Sequence, residues 1–440
     1  MSKEKDNNLL VQRRAKSIIP GISQLLSKRP DQFSHGVWPT YYKKAKGSIV
    51  WDLNNKQYID MSIGGIGANI LGYADDDVDN AVKEAISLGT SSSLNCYEDV
   101  DLAELLIKYH PWSEMTKFAR SGGEAMAIAV RIARTYSEKE IVAFCGYHGW
   151  HDWYLAANLQ SEENLTSHLL SGLSHKGIPS GLAGTSIPFR YNRIEELEEI
   201  LSRNPNNIAA IVLEPIRNIE PEDSFLEKVK ELAKQTSAVL IFDEISSGFR
   251  LNTGGAHMQY NVQPDIAVFS KALGNGYPIA AVIGVSDVMN ASQSTFISST
   301  NWSERIGPVA ALATLKKHSK KKVADHLISI GTEVQNGWRK IAEKNDLSIG
   351  ITGIKPLSHF AFNNENPELY KSIFVELMLD EGFLATTDFY SMYSHTPEQV
   401  EKYLISMDKV FQKIKEYEKQ GNLGSKLRGK PATKGFTRLT

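Results

Sequence analysis

Two cysteines, Cys96 and Cys145, are all the thiols in 440 residues. That scarcity excludes a disulfide framework and a cysteine-rich zinc site, and it points to a reducing cytosol. Excess charge of either sign is missing as well. Lys and Arg total 49 against 51 Asp and Glu, a formal net charge of -2. This balance gives no electrostatic reason to expect nucleic acid or a membrane surface as a partner. No apolar run approaches the ~20 residues that cross a bilayer. The opening stretch MSKEKDNNLL is polar and lacks a signal-type apolar core. Internal repeats and low-complexity tracts are absent. What is present is a 42% hydrophobic fraction, ample for a sizeable core. The length suits two or three domains, and a soluble intracellular protein is expected.

Residues 1–30 read as a helical arm, with Leu9, Leu10, Val11, Ala15, Ile18 and Ile19 on one face and Pro20-Gly21 as its stop. Strand patterns at Ser48–Trp51 and Tyr58–Met61 flank the polar turn Asn54-Asn55 and predict a hairpin. Amphipathic helices are expected over 76–88 and 98–109. From about residue 117 strands and helices alternate. The runs Ile141–Phe144, Ile208–Leu213, Ala238–Phe242 and Ile266–Ser270 read as buried strands, with helices between them. This alternation predicts a doubly wound, mostly parallel sheet with helices on both faces. A second region follows, with helices over 321–345, 368–380 and 397–418 and strands near 357–362. The expected division is an arm and part of a small domain over 1–75, a large domain over 76–320 and the rest of the small domain over 321–440. Asn301–His318 is expected to cross between the two regions. Residues 155–187, with Gly172, Gly177, Gly181 and Gly184, read either as a lid or as a surface insertion. The tail from Gly421 is basic, with Lys426, Arg428, Lys430, Lys434 and Arg438; Phe436 and Leu439 could dock it on the body.

Two residues carry the chemistry. Asp243 ends one apolar run and Lys271 follows the next. On parallel strands both emerge at one edge of the sheet, where α/β folds place ligands. A fixed carboxylate and an amine facing one crevice suit pyridoxal 5'-phosphate (PLP): the lysine holds the aldehyde as a Schiff base, and the aspartate keeps the pyridine nitrogen protonated. Ser121-Gly122-Gly123-Glu124 lies between a strand and a helix, where backbone N–H groups and the helix dipole favour a phosphate. Tyr147 and His148 lie in a loop, Gly146–Trp153, whose aromatics could stack on a flat ring. His148 and His151 lack the spacing and the further ligands of a metal site, so no metal is expected. Ser298–Asn301 is a hydroxyl-rich stretch suited to phosphate contacts or to a helix cap.

Taken in order, Ser-Gly-Gly-Glu-Ala at 121–125, Gly-Tyr-His-Gly at 146–149, Glu214-Pro215, Asp243-Glu244-Ile245 with Gly248-Phe249-Arg250, and Ser270–Pro278 resemble the class III aminotransferases of PLP fold type I. The likeness runs from about residue 10 to 415 and is strongest to glutamate-1-semialdehyde 2,1-aminomutase and its relatives. The resemblance implies that Lys271 binds the cofactor and shuttles the proton and that Asp243 pairs with the pyridine nitrogen. It sandwiches the ring between Ile245 and Tyr147, and sets Ser121, Gly122, Gly123 and His148 among the cofactor contacts. Thr300 then reaches the phosphate of a neighbouring subunit, which implies a homodimer with shared sites. The substrate pocket departs from the aminomutase. Gly65-Ile66 stands in place of a Ser-Trp pair, and no glutamate falls in register within Leu384–Tyr390. Thr300–Arg305 replaces a Thr-Leu-Ser-Gly-Asn-Pro run. Asp388, Tyr390 and His395 offer another polar lining. The expected activity is amino transfer from a small-molecule donor to a carbonyl acceptor, by analogy a sugar-like intermediate of surface polysaccharide synthesis; the alternative is the semialdehyde aminomutase itself.

Overall fold

The computed structural model describes residues 6–161, 164–165 and 174–433. Gly172 of the candidate lid and Lys434, Phe436, Arg438 and Leu439 of the tail lie outside the described residues. The chain divides into two compact units. One runs from Asp76 to Asp325, and the other combines the residues up to Asp75 with those from His326 onward.

The discontinuous unit begins with a helix, Asn7–Ile18, capped by the Asp6 carboxylate. The helix stops at Pro20-Gly21, as expected, and Pro20 and Pro30 each open a short 3-10 turn in the rest of the arm. Strands β1 (Tyr42–Lys46), β2 (Ile49–Asp52) and β3 (Gln57–Met61) follow. The β2–β3 hairpin closes as Asn55 takes a left-handed φ of 62°. Asp52 Oδ1 accepts from the N–H groups of Asn54 and Lys56, at 2.8 and 2.9 Å. Strand β1 was not expected; its Lys43, Lys44 and Lys46 hide an edge strand behind charge.

The larger unit holds β4 (Met115–Ala119), β5 (Ile141–Cys145), β6 (Ser186–Pro188), β7 (Ile208–Leu213), β8 (Val239–Asp243), β9 (Ile266–Phe269) and β10 (Ala280–Gly284). They form one sheet in the order β4-β10-β9-β8-β7-β5-β6. Only β10 runs against its neighbours. Alternate residues feed two cores. Val212, Ile241 and Val268 pack with Met126, Ala129 and Ala133 of the helix Gly122–Ser137. Ile211, Leu213, Leu240 and Phe242 pack on the other face with Leu226 and Val229 of the helix Phe225–Thr236. A sheet covered on both faces explains why these strands read as unbroken apolar runs. Asn301–His318 does not cross between regions. It enters the helix Ile306–Lys321, which packs within this unit against the helix Asp76–Ser87, because Ala310, Ala311 and Leu315 need burial.

The remaining strands are β11 (Ile349–Thr352), β12 (Leu357–Phe362), β13 (Phe383–Ala385) and β14 (Asp388–Tyr390). β13 joins β3 in parallel, and β11-β12-β14 make a separate sheet. The core gathers Trp338, Phe360, Phe374, Phe389, Tyr403 and Phe411. Downstream, the described tail is docked by Leu423 and Leu427, which pack on this core, and by charge. Buried Glu376 accepts from Ser34 Oγ at 2.6 Å, from the N–H groups of Arg428 and Gly429 at 2.9 and 2.8 Å, and from Arg428 Nε at 3.2 Å. Asp31 does the same for Thr433 Oγ1 at 2.9 Å. Among the described residues no helix is long and apolar enough to cross a membrane.

Candidate active site

Strands β8 and β9 are parallel neighbours, and Asp243 pairs with Val268 in their register. The chain leaves β8 at Asp243 and β9 just before Lys271, so both side chains belong to the same carboxyl edge of the sheet. Asp243 is 2% exposed. Its Oδ1 accepts the N–H of Ile245 at 3.0 Å, and its Oδ2 lies 2.8 Å from His148 Nδ1. His148 Nε2 faces the carbonyl of Cys145 at 3.0 Å. A carbonyl can only accept, so Nε2 carries a proton; the contact to the carboxylate is attractive when Nδ1 carries one too. Both nitrogens of buried His148 are thus engaged by the protein. It sits one step behind Asp243 and holds that carboxylate in place.

Lys271 takes a left-handed φ of 40°. A long side chain in that region is strained by roughly 1–3 kcal/mol, and it is retained at the start of the turn Lys271–Gly274. Nζ donates to Ser246 Oγ at 2.6 Å. Burial, seconded by the charge of Arg217, lowers the amine's pKa to about 8; Glu214 and Asp243 pull the other way. A neutral amine is therefore accessible near physiological pH.

The turn that carries Ile245 and Ser246 hangs on Glu244. Its carboxylate is fully enclosed. It accepts from the N–H and Nδ1 of His257 at 2.9 and 2.7 Å, and from Ser247 Oγ at 2.6 Å. Burial works against its charge, yet these donors hold its pKa below the usual value. His257 Nε2 accepts from the indole N–H of Trp112 at 3.0 Å. Indole only donates, so His257 is the neutral Nδ1–H tautomer.

Ser121 and Glu124 close a capping box at the helix Gly122–Ser137. The N–H and Oγ of Ser121 both go to Glu124 Oε2, at 2.9 and 3.0 Å. A Cβ on Gly122 would stand 2.8 Å from Ile245 Cδ1, and one on Gly123 would stand 2.8 Å from the His151 ring. Only glycine permits these approaches. His151 Nδ1 is occluded without a protein partner, and its ring stacks on Trp150 with centroids 4.4 Å apart. Tyr147 packs edge-on against Tyr154. Thr300 is exposed at the start of a short 3-10 turn, and among the described residues no hydrogen bond joins its side chain to the group around Lys271. No cluster of three or more potential metal ligands occurs among the described residues.

In the discontinuous unit, Ile66 holds a φ of 63°, rare for a β-branched residue, beside Gly65 at 69°. Asp388 Oδ1 lies 2.6 Å from His359 Nδ1. His395, expected in the polar lining of the substrate pocket, has both ring nitrogens engaged by backbone groups. It is 1% exposed, Nδ1 accepts from the Met392 N–H, and Nε2 donates to the Asp60 carbonyl. Burial lowers its pKa to about 4.

The motif reading passed over Ser246, Arg217 and His257. Ser246 had a signal, being three positions from Asp243 on the same turn. His257 and Arg217 had none, since their partners arrive through tertiary packing.

The family model for class III aminotransferases matches residues 32–410, and the chain belongs to that family. It is 32% identical over 399 residues to the 3-aminobutyryl-CoA aminotransferase of Cloacimonas acidaminovorans (strain Evry), covering 88% of this chain and 92% of that protein. It is also 32% identical over 403 residues to the glutamate-1-semialdehyde 2,1-aminomutase of Thermosipho africanus (strain TCF52B), covering 86% and 93%. Among solved structures, the FumI protein of Sphingopyxis sp. MTA144 superposes with a TM-score of 0.85 at 20% identity, over 97% of this chain and 98% of that one. An omega-transaminase from Sphaerobacter thermophilus gives 0.82 at 21% identity, over 93% and 98%. The fold is PLP fold type I.

Proposed function

We infer that the protein is a PLP-dependent aminotransferase that moves an amino group from a small-molecule donor to a separate carbonyl acceptor. One observation carries this reading: a buried carboxylate, Asp243, and an amine shifted to about pKa 8, Lys271, at the same edge of adjacent parallel strands. The residues present fit the cofactor. The helix beginning at Gly122 turns the N–H groups of its first residues and a favourable dipole end toward its phosphate. The absence of a Cβ at Gly122 and Gly123 lets Ile245 and His151 close on this helix start, and the orphaned His151 Nδ1 lies beside it. Ile245 and Tyr147 supply apolar walls for the ring, with Ser121 at the rim.

When bound, the cofactor supplies an electrophilic aldehyde and an electron-accepting ring. The protein's part is positioning and proton handling. Asp243, steadied by His148 and the Ile245 N–H, holds a proton at the pyridine nitrogen. Lys271, neutral in part at pH 7–8, takes and returns a proton at the substrate carbon that bears nitrogen. Ser246 Oγ orients Nζ for that work.

The reading includes a homodimer. Leu94 and Phe296 are 81% and 82% exposed, and Ile86, Leu88, Tyr97 and Val100 are exposed beside Leu94 in sequence. Such apolar exposure on one unit supports burial against a second copy, with Thr300 serving the partner's phosphate site.

The acceptor is the finer part of the proposal. Gly65-Ile66 in place of a Ser-Trp pair, and no glutamate near Tyr390, support a pocket for a larger hydroxylated, sugar-like carbonyl. The second reading is the aminomutase, favoured by 32% identity to the Thermosipho enzyme; the identity to an aminotransferase is the same, so identity does not choose. Incubation with glutamate 1-semialdehyde alone, beside an amino donor with a keto-sugar, decides. Donor-dependent amination in the second tube is expected. Efficient 5-aminolevulinate formation in the first would overturn the reading.

A further inference from the structure

The loop that follows β5 comes down on the start of the helix Gly122–Ser137, and two glycines permit it. Gly149 takes a φ of 106°, and a Cβ added there would stand 3.3 Å from the Gly123 Cα. A Cβ added to Gly123 would stand 2.8 Å from both Nδ1 and Cε1 of His151, and 3.8 Å from the indole nitrogen of Trp150. In a helix each Cα–Cβ bond tilts toward the N-terminus. The edge of the imidazole therefore fills the place of a side chain at 123, on the side to which the first N–H groups of the helix point. The backbone behind the ring is pinned. The His151 carbonyl accepts the N–H groups of Tyr154 and Leu155 at 3.0 and 3.2 Å, and Tyr154 is fully buried. Trp150 covers one face of the ring, with planes 29° apart. Burial lowers the pKa of His151, and the charges of Glu124 and Asp152 pull the other way. Yet Nδ1 is enclosed and makes no hydrogen bond. Glu124 is committed elsewhere: its Oε2 accepts the N–H groups of Arg120 and Ser121 and the Ser121 hydroxyl. An enclosed donor without an acceptor is costly, and an anion at the helix start supplies the acceptor.

We propose that His151 is a cofactor-binding residue: its Nδ1–H donates to the phosphate of PLP, beside the N–H groups that open this helix, and stands in for the side chain that Gly123 lacks. The assignment rests on placing the phosphate at this helix. The neutral Nδ1–H tautomer suffices, because the helix dipole already favours the anion. Gly123 and His151 then form one device. The glycine makes room, and the imidazole brings a donor into that room from a separate loop.

The test needs no turnover. The full-length apoprotein is titrated with PLP and, separately, with pyridoxal, which carries the same aldehyde and ring but no phosphate; absorbance follows both. The ratio of the two affinities isolates the phosphate. His151→Phe keeps a ring between Gly123 and Trp150 and removes the donor. It should lower the preference for PLP over pyridoxal by about 10- to 100-fold and leave pyridoxal binding as it was. His151→Asn can place an amide nitrogen close to the Nδ1 position and should keep part of the preference. Gly123→Ser combined with His151→Ala puts a hydroxyl into the freed space and should regain part of what His151→Ala alone loses. Calorimetric binding of inorganic phosphate to the apoprotein should weaken in His151→Phe by a similar factor. An unchanged ratio in His151→Phe, or equal losses for both aldehydes, overturns the assignment and leaves the placement of the phosphate standing. A wild-type apoprotein that binds PLP and pyridoxal equally tightly overturns that placement as well.

Discussion

Burial takes Lys271 from an ordinary pKa of 10.5 to about 8, so folded and unfolded chains bind protons differently. Between those values the unfolded lysine is the more protonated. Stability of the apoprotein therefore rises with pH across this window, and the penalty is fully present below about pH 8. Urea midpoints at pH 8 and pH 10 should differ more for wild type than for Lys271→Met; the part due to this residue is at most about 3 kcal/mol. Equal pH slopes would mean that the amine is not shifted. Lys271→Ala should also abolish turnover, with phosphate-anchored cofactor still binding. Asp243→Asn should keep the cofactor bound and cut the rate severely, because an amide cannot sustain a proton on the ring nitrogen; near wild-type turnover would remove the role assigned to Asp243. Both residues were legible because each terminates an apolar run. Glu244 was not. Its environment is set by His257, thirteen positions on, and by Trp112, and neither leaves a periodic trace in the sequence.

At the scale of elements, a buried carboxylate adds to apolar contact in fastening the described tail. Glu376 is 2% exposed and satisfies four donors from the tail and from Ser34. Glu376→Ala should cost about 3 kcal/mol, since two backbone N–H groups lose their acceptor together. Arg428→Ala should cost under about 1 kcal/mol, because that side chain is half in water. Thermal unfolding of both variants checks the order, and a larger effect at Arg428 would reverse the account. Gly331 tests a different limit. It lies inside the helix Val323–Lys344, where alanine is usually better by roughly 1 kcal/mol. Its Cβ would fall 1.8 Å from the Lys355 carbonyl, so Gly331→Ala should destabilise instead. The long helices and buried strands were readable from periodicity and length. β1, a lysine-rich edge, and β13, three residues long, carry too little pattern to be read without their partners.

For the whole molecule, the proposed dimer predicts complementation. Lys271→Ala protomers mixed with protomers crippled at Thr300 should recover activity after subunit exchange, because one of the two sites regains both wild-type groups. No recovery after verified exchange argues that each site is complete within one chain.

The pairing of β3 with β13 has a consequence for how the protein is made. Ile59 and Phe383 are register partners more than three hundred residues apart. On the ribosome the first hairpin is finished early and then waits, one side of β3 unpaired, while all of Asp76–Asp325 is synthesised. That stretch is a compact unit with its own sheet, so it can condense first. The hairpin can complete its sheet only once Phe383–Ala385 has been made. Until then β3 is an open edge, available to another nascent chain. Slow synthesis or crowding among ribosomes on one message should therefore lower yield through this segment, whatever the stability of the finished fold.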